Sequence, residues 1–312
     1  MEKSAYIILI SLILCSCSLE PLYYGGYERA IIKLDIDWSK LEVAPNGATV
    51  YIYTKDGKLY RNPPPLANPQ NIKITLPLGN YEAIIISNTP EEYSINKFKE
   101  MENIENAKAL LSYSNTISKA QKSKVFAFSY IDNINIDKSI THLYTLKPNI
   151  NKDSSVVKYH STATIPHKKL TFRIYVEGLI YAAKLPQVYF ENIVDGYILS
   201  KNIIANTSRH IKFIPDEIYI EKNNISNGTV SRTLNVFDIT DKNGKNLIKL
   251  DFTLKDGSTH HIEMDASKHI QREDKEIYIE ISIKLPKVEI DNDMPFKPDI
   301  DDWKDIEIDT PV

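Results

Sequence analysis

Apolar residues recur along most of this chain at every second position, the period of a strand with one face buried. The cleanest case is Glu276–Leu285, where Ile277, Ile279, Ile281, Ile283 and Leu285 alternate with polar neighbours. Ile32, Leu34 and Ile36 alternate with Lys33, Asp35 and Asp37, and Leu170, Phe172, Ile174 and Val176 with Thr171, Arg173 and Tyr175. The same reading predicts strands at 49–54, 72–76, 81–87, 125–130, 139–146, 156–160, 187–194, 233–239, 247–254 and 260–264. Within 81–87 the run Ala83–Ile86 is wholly apolar, as expected of a central strand covered on both faces.

Between these runs stand turn signals. Asp56-Gly57, Asn243-Gly244 and Asp256-Gly257 predict tight turns, and Pro77–Asn80 predicts a turn that joins its flanking strands into a hairpin. Asn62–Pro69 holds four prolines and reads as a loop, because proline cannot donate to a ladder. Only Ser94–Tyr113 departs from period two. There Phe98, Met101, Ile104 and Leu111 are spaced for one or two short helices. Polar Pro148–Ser155 marks a domain boundary.

Many short strands punctuated this way predict an all-β chain with a small helical insertion, folded as two tandem β-sandwiches. The expected division is a tether at 18–29, an N-terminal sandwich at 30–152, a C-terminal sandwich at 153–290 and an acidic tail at 291–312.

The first seventeen residues follow a different logic. Lys3 precedes an apolar run, Ala5–Leu14, followed by Cys15-Ser16-Cys17. That is the layout of a secretory signal peptide, and the run is too short for the ~20 residues of a membrane-spanning helix. Its ending resembles a bacterial lipobox, with Leu14 at −3, Ser16 at −1 and Cys17 as the lipidated first mature residue. Cys15 is a poorer acceptor, since Leu14 would then stand where a small residue is wanted. A lipidated Cys17 places the mature protein on a membrane, because several acyl chains anchor far more firmly than one.

Composition narrows the function. Both cysteines lie in this segment, which excludes disulfides, cysteine-ligated metals and a cysteine nucleophile from the body. Acidic residues (41) nearly balance basic ones (38), so no nucleic-acid partner is indicated. Tyrosine is abundant at 19, which suits strands.

No motif carries catalysis. There is no Gly-x-Ser-x-Gly elbow, P-loop or Gly-x-Gly-x-x-Gly, and the pairs Glu91-Glu92 and Asp301-Asp302 read as solvated charges. The histidines (142, 160, 167, 210, 260, 261, 269) include one adjacent pair, His260-His261, whose side chains point to opposite faces of a strand and cannot share a metal. Asp291-Asn-Asp293 and Asp299–Asp302 are oxygen-rich but lack the spacing of a calcium loop. No metal or cofactor is expected. Asn206, Asn224 and Asn227 open glycosylation sequons, which have little force in bacteria. Tyr23, Tyr24 and Tyr27 near the tether offer a sugar-stacking platform, which leaves open an alternative reading as a carbohydrate-binding lipoprotein of a nutrient-uptake system.

The order of lipobox, β domain, insertion, β domain and acidic tail resembles the fimbrillin-like lipoproteins of Bacteroidetes. Leu14-Cys-Ser-Cys17, the strand beginning at Ala30 and the ending Lys297-Pro-Asp-Ile-Asp-Asp-Trp-Lys-Asp-Ile-Glu-Ile308 carry it. The resemblance implies two transthyretin-like sandwiches, lipid anchoring in the outer membrane at the cell surface, and a non-enzymatic role in fimbria assembly, anchoring or adhesion. Its partners would be fimbrial subunits or other surface proteins, met by β-strand complementation. It also implies protease processing after arginine, for which Arg29, before the first strand, and Arg61, in the proline loop, are the candidates. The final Ile306–Val312 alternates briefly and is a possible donor strand.

Overall fold

The computed structural model describes residues 29–62, 66, 68–93, 96–112, 125–141, 156–221, 224–240 and 244–289. In its first half the strands are β1 (Arg29–Asp37), β2 (Ala48–Thr54), β3 (Leu59–Arg61), β4 (Ile72–Pro77), β5 (Gly79–Ser87), β6 (Asn96–Lys99), β7 (Lys108–Leu111) and β8 (Phe128–Ile136). Then come β9 (Val157–Thr162), β10 (Lys168–Glu177), β11 (Gln187–Val194), β12 (Gly196–Ile198), β13 (Ile203–Ile204), β14 (Ser208–Phe213) and β15 (Glu217–Ile220). The last are β16 (Gly228–Val236), β17 (Leu247–Thr253), β18 (Thr259–Asp265), β19 (Ile270–Arg272) and β20 (Glu276–Lys284). Among the described residues helix is confined to single turns, such as Lys138–Thr141 and Pro90–Glu92.

Two pairs of sheets follow from the alternation. Sheet β4-β1-β9 packs on β3-β2-β5-β8, and sheet β15-β16-β10-β20-β19 packs on β14-β11-β17-β18. The first core gathers Ile32, Leu34 and Ile36 from β1 with Ile72, Ile74 and Leu76 from β4 and Val50, Ala83 and Ile85 from the facing sheet. Each such aliphatic side chain, taken fully out of water, contributes about 2 kcal/mol.

The two sandwiches repeat one topology. In each, the opening strand (β1, β10) lies between an antiparallel neighbour (β4, β16) and a parallel closing strand (β9, β20). The opposite sheets run β3-β2-β5-β8 and β14-β11-β17-β18, again in corresponding order. The two Asp-Gly turns are legible for the same reason. Gly57 (φ 79°) and Gly257 (φ 84°) take the left-handed conformation that closes the β2–β3 and β17–β18 hairpins.

The two sandwiches are not separate bodies. Sheet β13-β12-β7-β6 takes two strands from each half of the chain, pairing Tyr197 with Ala109. The apolar run 83–86 explains the coupling: Ala83 and Ile85 face the first core, while Ile84 and Ile86 face a second, larger core that continues through both sheets of the C-terminal sandwich. β5 is thus the central, doubly buried strand that its sequence indicates.

Several expectations are corrected. Ser94–Tyr113 forms no helix in its described part but the β6–β7 hairpin, with Asn96 opposite Leu111 and Phe98 opposite Ala109. The helical spacing arises because Met101 and Ile104 sit in the connecting turns, while Asn96/Phe98 and Ala109/Leu111 keep period two within short runs. β4 and β5 are not a hairpin; the chain crosses at Leu78 from one sheet to the other, so β4 pairs with β1 and β5 with β2 and β8. The expected strand at 139–146 starts instead as a helical turn, Lys138–Thr141. Asp137 caps that turn, accepting the Ser139 amide at 2.9 Å; residues 142–155, with His142 and the expected boundary, lie outside the described residues. β9, expected to open the C-terminal domain, closes the first sheet beside β1. Arg29 does not precede the first strand but begins it, opposite Pro77.

Candidate interaction surfaces

β1 is enclosed within the first sandwich. It is hydrogen-bonded on both edges, to β4 and β9, and its inward residues Ala30, Ile32, Leu34 and Ile36 are all buried. Just beyond it, the Trp38 indole donates to the Pro69 carbonyl at 3.2 Å, which fixes where the chain leaves the sheet. Removing β1 would therefore open a long apolar groove flanked by two sets of unpaired backbone groups, the arrangement an incoming strand satisfies.

The two arginines differ in access. Arg29 is half-buried within the paired β1, whereas Arg61 is exposed at the end of the short edge strand β3. Cys17, the tyrosines at 23, 24 and 27, the acidic tail and its Asp291–Asp293 and Asp299–Asp302 runs lie outside the described residues.

The histidines are not brought together. His261 stands beside Asp251, Nδ1 to Oδ1 2.7 Å, on the exposed face of the β17–β18 pair, with His260 on the other face of the strand. His160 lies 3.6 Å from Asp35, and His210 stacks on Tyr189 at 4.9 Å. Among the described residues no three His, Cys, Asp or Glu side chains gather in a way that could hold a metal ion.

Buried polar residues escape sequence reasoning, His167 and Arg232 among them. His167 is held between Phe237, stacked at 5.1 Å, and the edge of Phe126 at 4.9 Å, with Nε2 3.3 Å from Asn96 Oδ1. Burial pushes its pKa down to about 3, so the ring is neutral. Arg232 sits on the inward face of β16 and donates to the Ile214 carbonyl at 2.6 Å, with Asp216 3.9 Å from Nε. Both of these partners come from the loop folded over it. Beside His167 the two sandwiches leave a cleft of about 640 Å³ whose walls include Leu41, Val43, Ile165, Lys169 and Lys275.

The described residues thus form two paired-sheet β-sandwiches with enclosed strands around a deep shared core. The chain belongs to the family described as a domain of unknown function (DUF5119), whose model matches residues 16–213. Its fold is similar to that of a "putative adhesin" from Bacteroides ovatus, with TM-score 0.57, 16% identity and coverage of 83% of this chain and 94% of that one. Two more distant likenesses are a second Bacteroides ovatus "putative adhesin" (TM-score 0.49, 7% identity, 83% and 89% covered) and the fimbrial anchor protein Mfa2 from Porphyromonas gingivalis (TM-score 0.47, 14% identity, 81% and 90% covered). No functionally curated protein matches the sequence. The fimbrillin-like resemblance read from the lipobox and the chain's ending agrees with the family match and the fold. None of the described helices is long and apolar enough to cross a membrane.

Proposed function

We propose that this is a lipid-anchored surface protein, held in the outer membrane through Cys17, that acts without catalysis in fimbria assembly, anchoring or adhesion by β-strand complementation. In this reading the sandwiches are two transthyretin-like domains, with β9 belonging to the first, and the partners are fimbrial subunits or other surface proteins. The observation that carries it is the position of β1. A strand paired on both edges and buried on its inward face stays part of its own sandwich, which leaves the open sheet edges to pair with a partner.

The placement of the arginines favours a subunit that keeps its own β1. Cleavage after Arg29 would leave that strand in place, while cleavage after Arg61 would release β1, β2 and β3 together and dismantle both sheets of the first sandwich. We therefore favour an anchoring subunit that presents a different edge to its neighbour. Envelope extracts run without boiling test the role. A subunit engaged by strand complementation gives SDS-resistant ladders that contain this chain, and a chain that runs only as monomer and never co-purifies with surface filaments contradicts it.

A further inference from the structure

The outer face of sheet β15-β16-β10-β20-β19 carries a row of residues with a geometry that its packing does not require. Tyr219, Thr229, Tyr175 and Ser282 stand directly opposite one another on four adjacent strands, so their side chains project to the same side. Both tyrosines are open to solvent, Tyr219 at 56% and Tyr175 at 40% exposure, where the alternate residues of their strands are turned into the core. β16 separates them, which puts their Cα positions two strand spacings, or about 10 Å, apart.

Beside this row, two residues further along the strands, lies a depression of about 350 Å³ bordered by Tyr175, Glu177, Glu221, Asn227, Ser282 and Lys284. Glu177 and Lys284 form an ion pair across it. The Asn227 Oδ1 accepts the Gly178 amide at 3.1 Å, which orients the amide group. The rim therefore offers fixed donors and acceptors of both signs, with two carboxylates against one ammonium.

We propose that this row binds an extended, neutral β-1,4-linked oligosaccharide. The proposal rests on the adhesion reading above and deepens it by naming a ligand class. Exposed aromatic rings on a flat sheet stack against the apolar faces of pyranose rings, and in a twofold β-1,4 chain alternate sugars present the same face one disaccharide apart. The two-strand separation of Tyr219 and Tyr175 matches that repeat. Carboxylate, amide, hydroxyl and ammonium groups beside an aromatic suit the hydroxyls of a neutral sugar, and the excess of carboxylates disfavours a polyanion. Because the row lies on a sheet face, it leaves the sheet edges available for strand pairing.

The test is calorimetric titration of the full lipidated chain, in a sugar-free zwitterionic detergent, with cellotetraose, tetra-N-acetylchitotetraose and, as an α-linked control, maltotetraose. A β-1,4 tetrasaccharide should bind in preference to maltotetraose. Y175A and Y219A should each weaken it about tenfold, with unfolding midpoints unchanged, since both rings are exposed. Y175F and Y219F should retain binding, because the ring stays. Wild-type protein that binds neither β-1,4 tetrasaccharide overturns the proposal, as does binding that survives the double substitution Y175A/Y219A. The two readings fail separately: loss of the SDS-resistant ladders with tetrasaccharide binding intact removes the assembly role alone, and ladders without tetrasaccharide binding remove this site alone.

Discussion

The imidazole of His167 lies 3.3 Å from the side-chain oxygen of Asn96, a contact between residues 71 positions apart, buried where the two sandwiches join. Asn96 comes from the hairpin inserted in the first half and His167 from the link between β9 and β10. With Phe126 and Phe237 on either side, the pair ties both halves of the chain into one core.

Burial of His167 makes the joint sensitive to acid. The folded pKa of His167 is lowered to about 3 from an ordinary 6.5 by burial. The unfolded chain therefore takes up a proton that the folded one refuses. The stabilisation is whole above about pH 6.5 and is lost as pH falls toward 3. Between pH 7 and 4 the wild type should lose on the order of 3 kcal/mol from this group. His167→Phe keeps an aromatic ring in the slot and should flatten that part of the profile, as read by urea midpoints across the range. A variant that loses stability with acid as steeply as the wild type would contradict the assignment.

The enclosed position of β1 predicts a large cost for hollowing it. Leu34 is fully buried, and Leu34→Ala should lower unfolding free energy by about 3 kcal/mol through lost burial and the cavity left behind. Val43, 78% exposed in the loop that follows, provides the comparison. Val43→Ala should stay within about 0.5 kcal/mol, and equal effects at the two positions would deny β1 its place in the core.

The two arginines should separate under limited trypsin digestion of the folded protein. Arg61, exposed on a short edge strand, should be cut well before Arg29, which is half-buried and paired. Mass measurement of the first fragments decides, and early cleavage after Arg29 would mean that β1 opens readily at its start.

Gly196 brings β12 against β7. A Cβ there would stand 2.9 Å from the Ala205 Cβ and 3.2 Å from the Leu110 Cδ2, closer than side chains pack. Gly196→Val should push β12 off β7 and speed amide exchange in the bridging sheet, while β10 and β20 stay protected. Uniform loss of protection would show that the bridging sheet and the C-terminal sandwich open as one unit.

Where one face is cleanly apolar, the strands were legible. β1, β10 and β20 appear within a residue or so of their sequence limits because no polar residue interrupts their inward positions, and β11 does so although Asn192 interrupts it at a bulge. The start of β16 was hidden because Arg232 occupies one of those positions, and its carbonyl and carboxylate partners come from the loop at 214–216. β6 and β7 were hidden because four-residue strands carry too little period to outweigh helix-spaced residues in their turns. The closing strands β9 and β20 pair in parallel with opening strands far back in the chain, a relation that no local pattern encodes. At the surfaces, Tyr175 could be read as outward from its strand, but Tyr219 sits in the short run Ile218-Tyr219-Ile220 and gave no signal. His167 follows a proline in a connecting segment, so its burial could not be inferred.

The central claim, a lipid anchor at Cys17 carrying a sandwich that keeps its β1, is tested most directly by mass spectrometry of the mature N-terminus on intact cells. The account predicts a first peptide beginning at a diacylglyceryl-modified Cys17 and continuing through Arg29 into β1. A mature chain that begins at Asn62, or at an unmodified residue after Cys17, would contradict it.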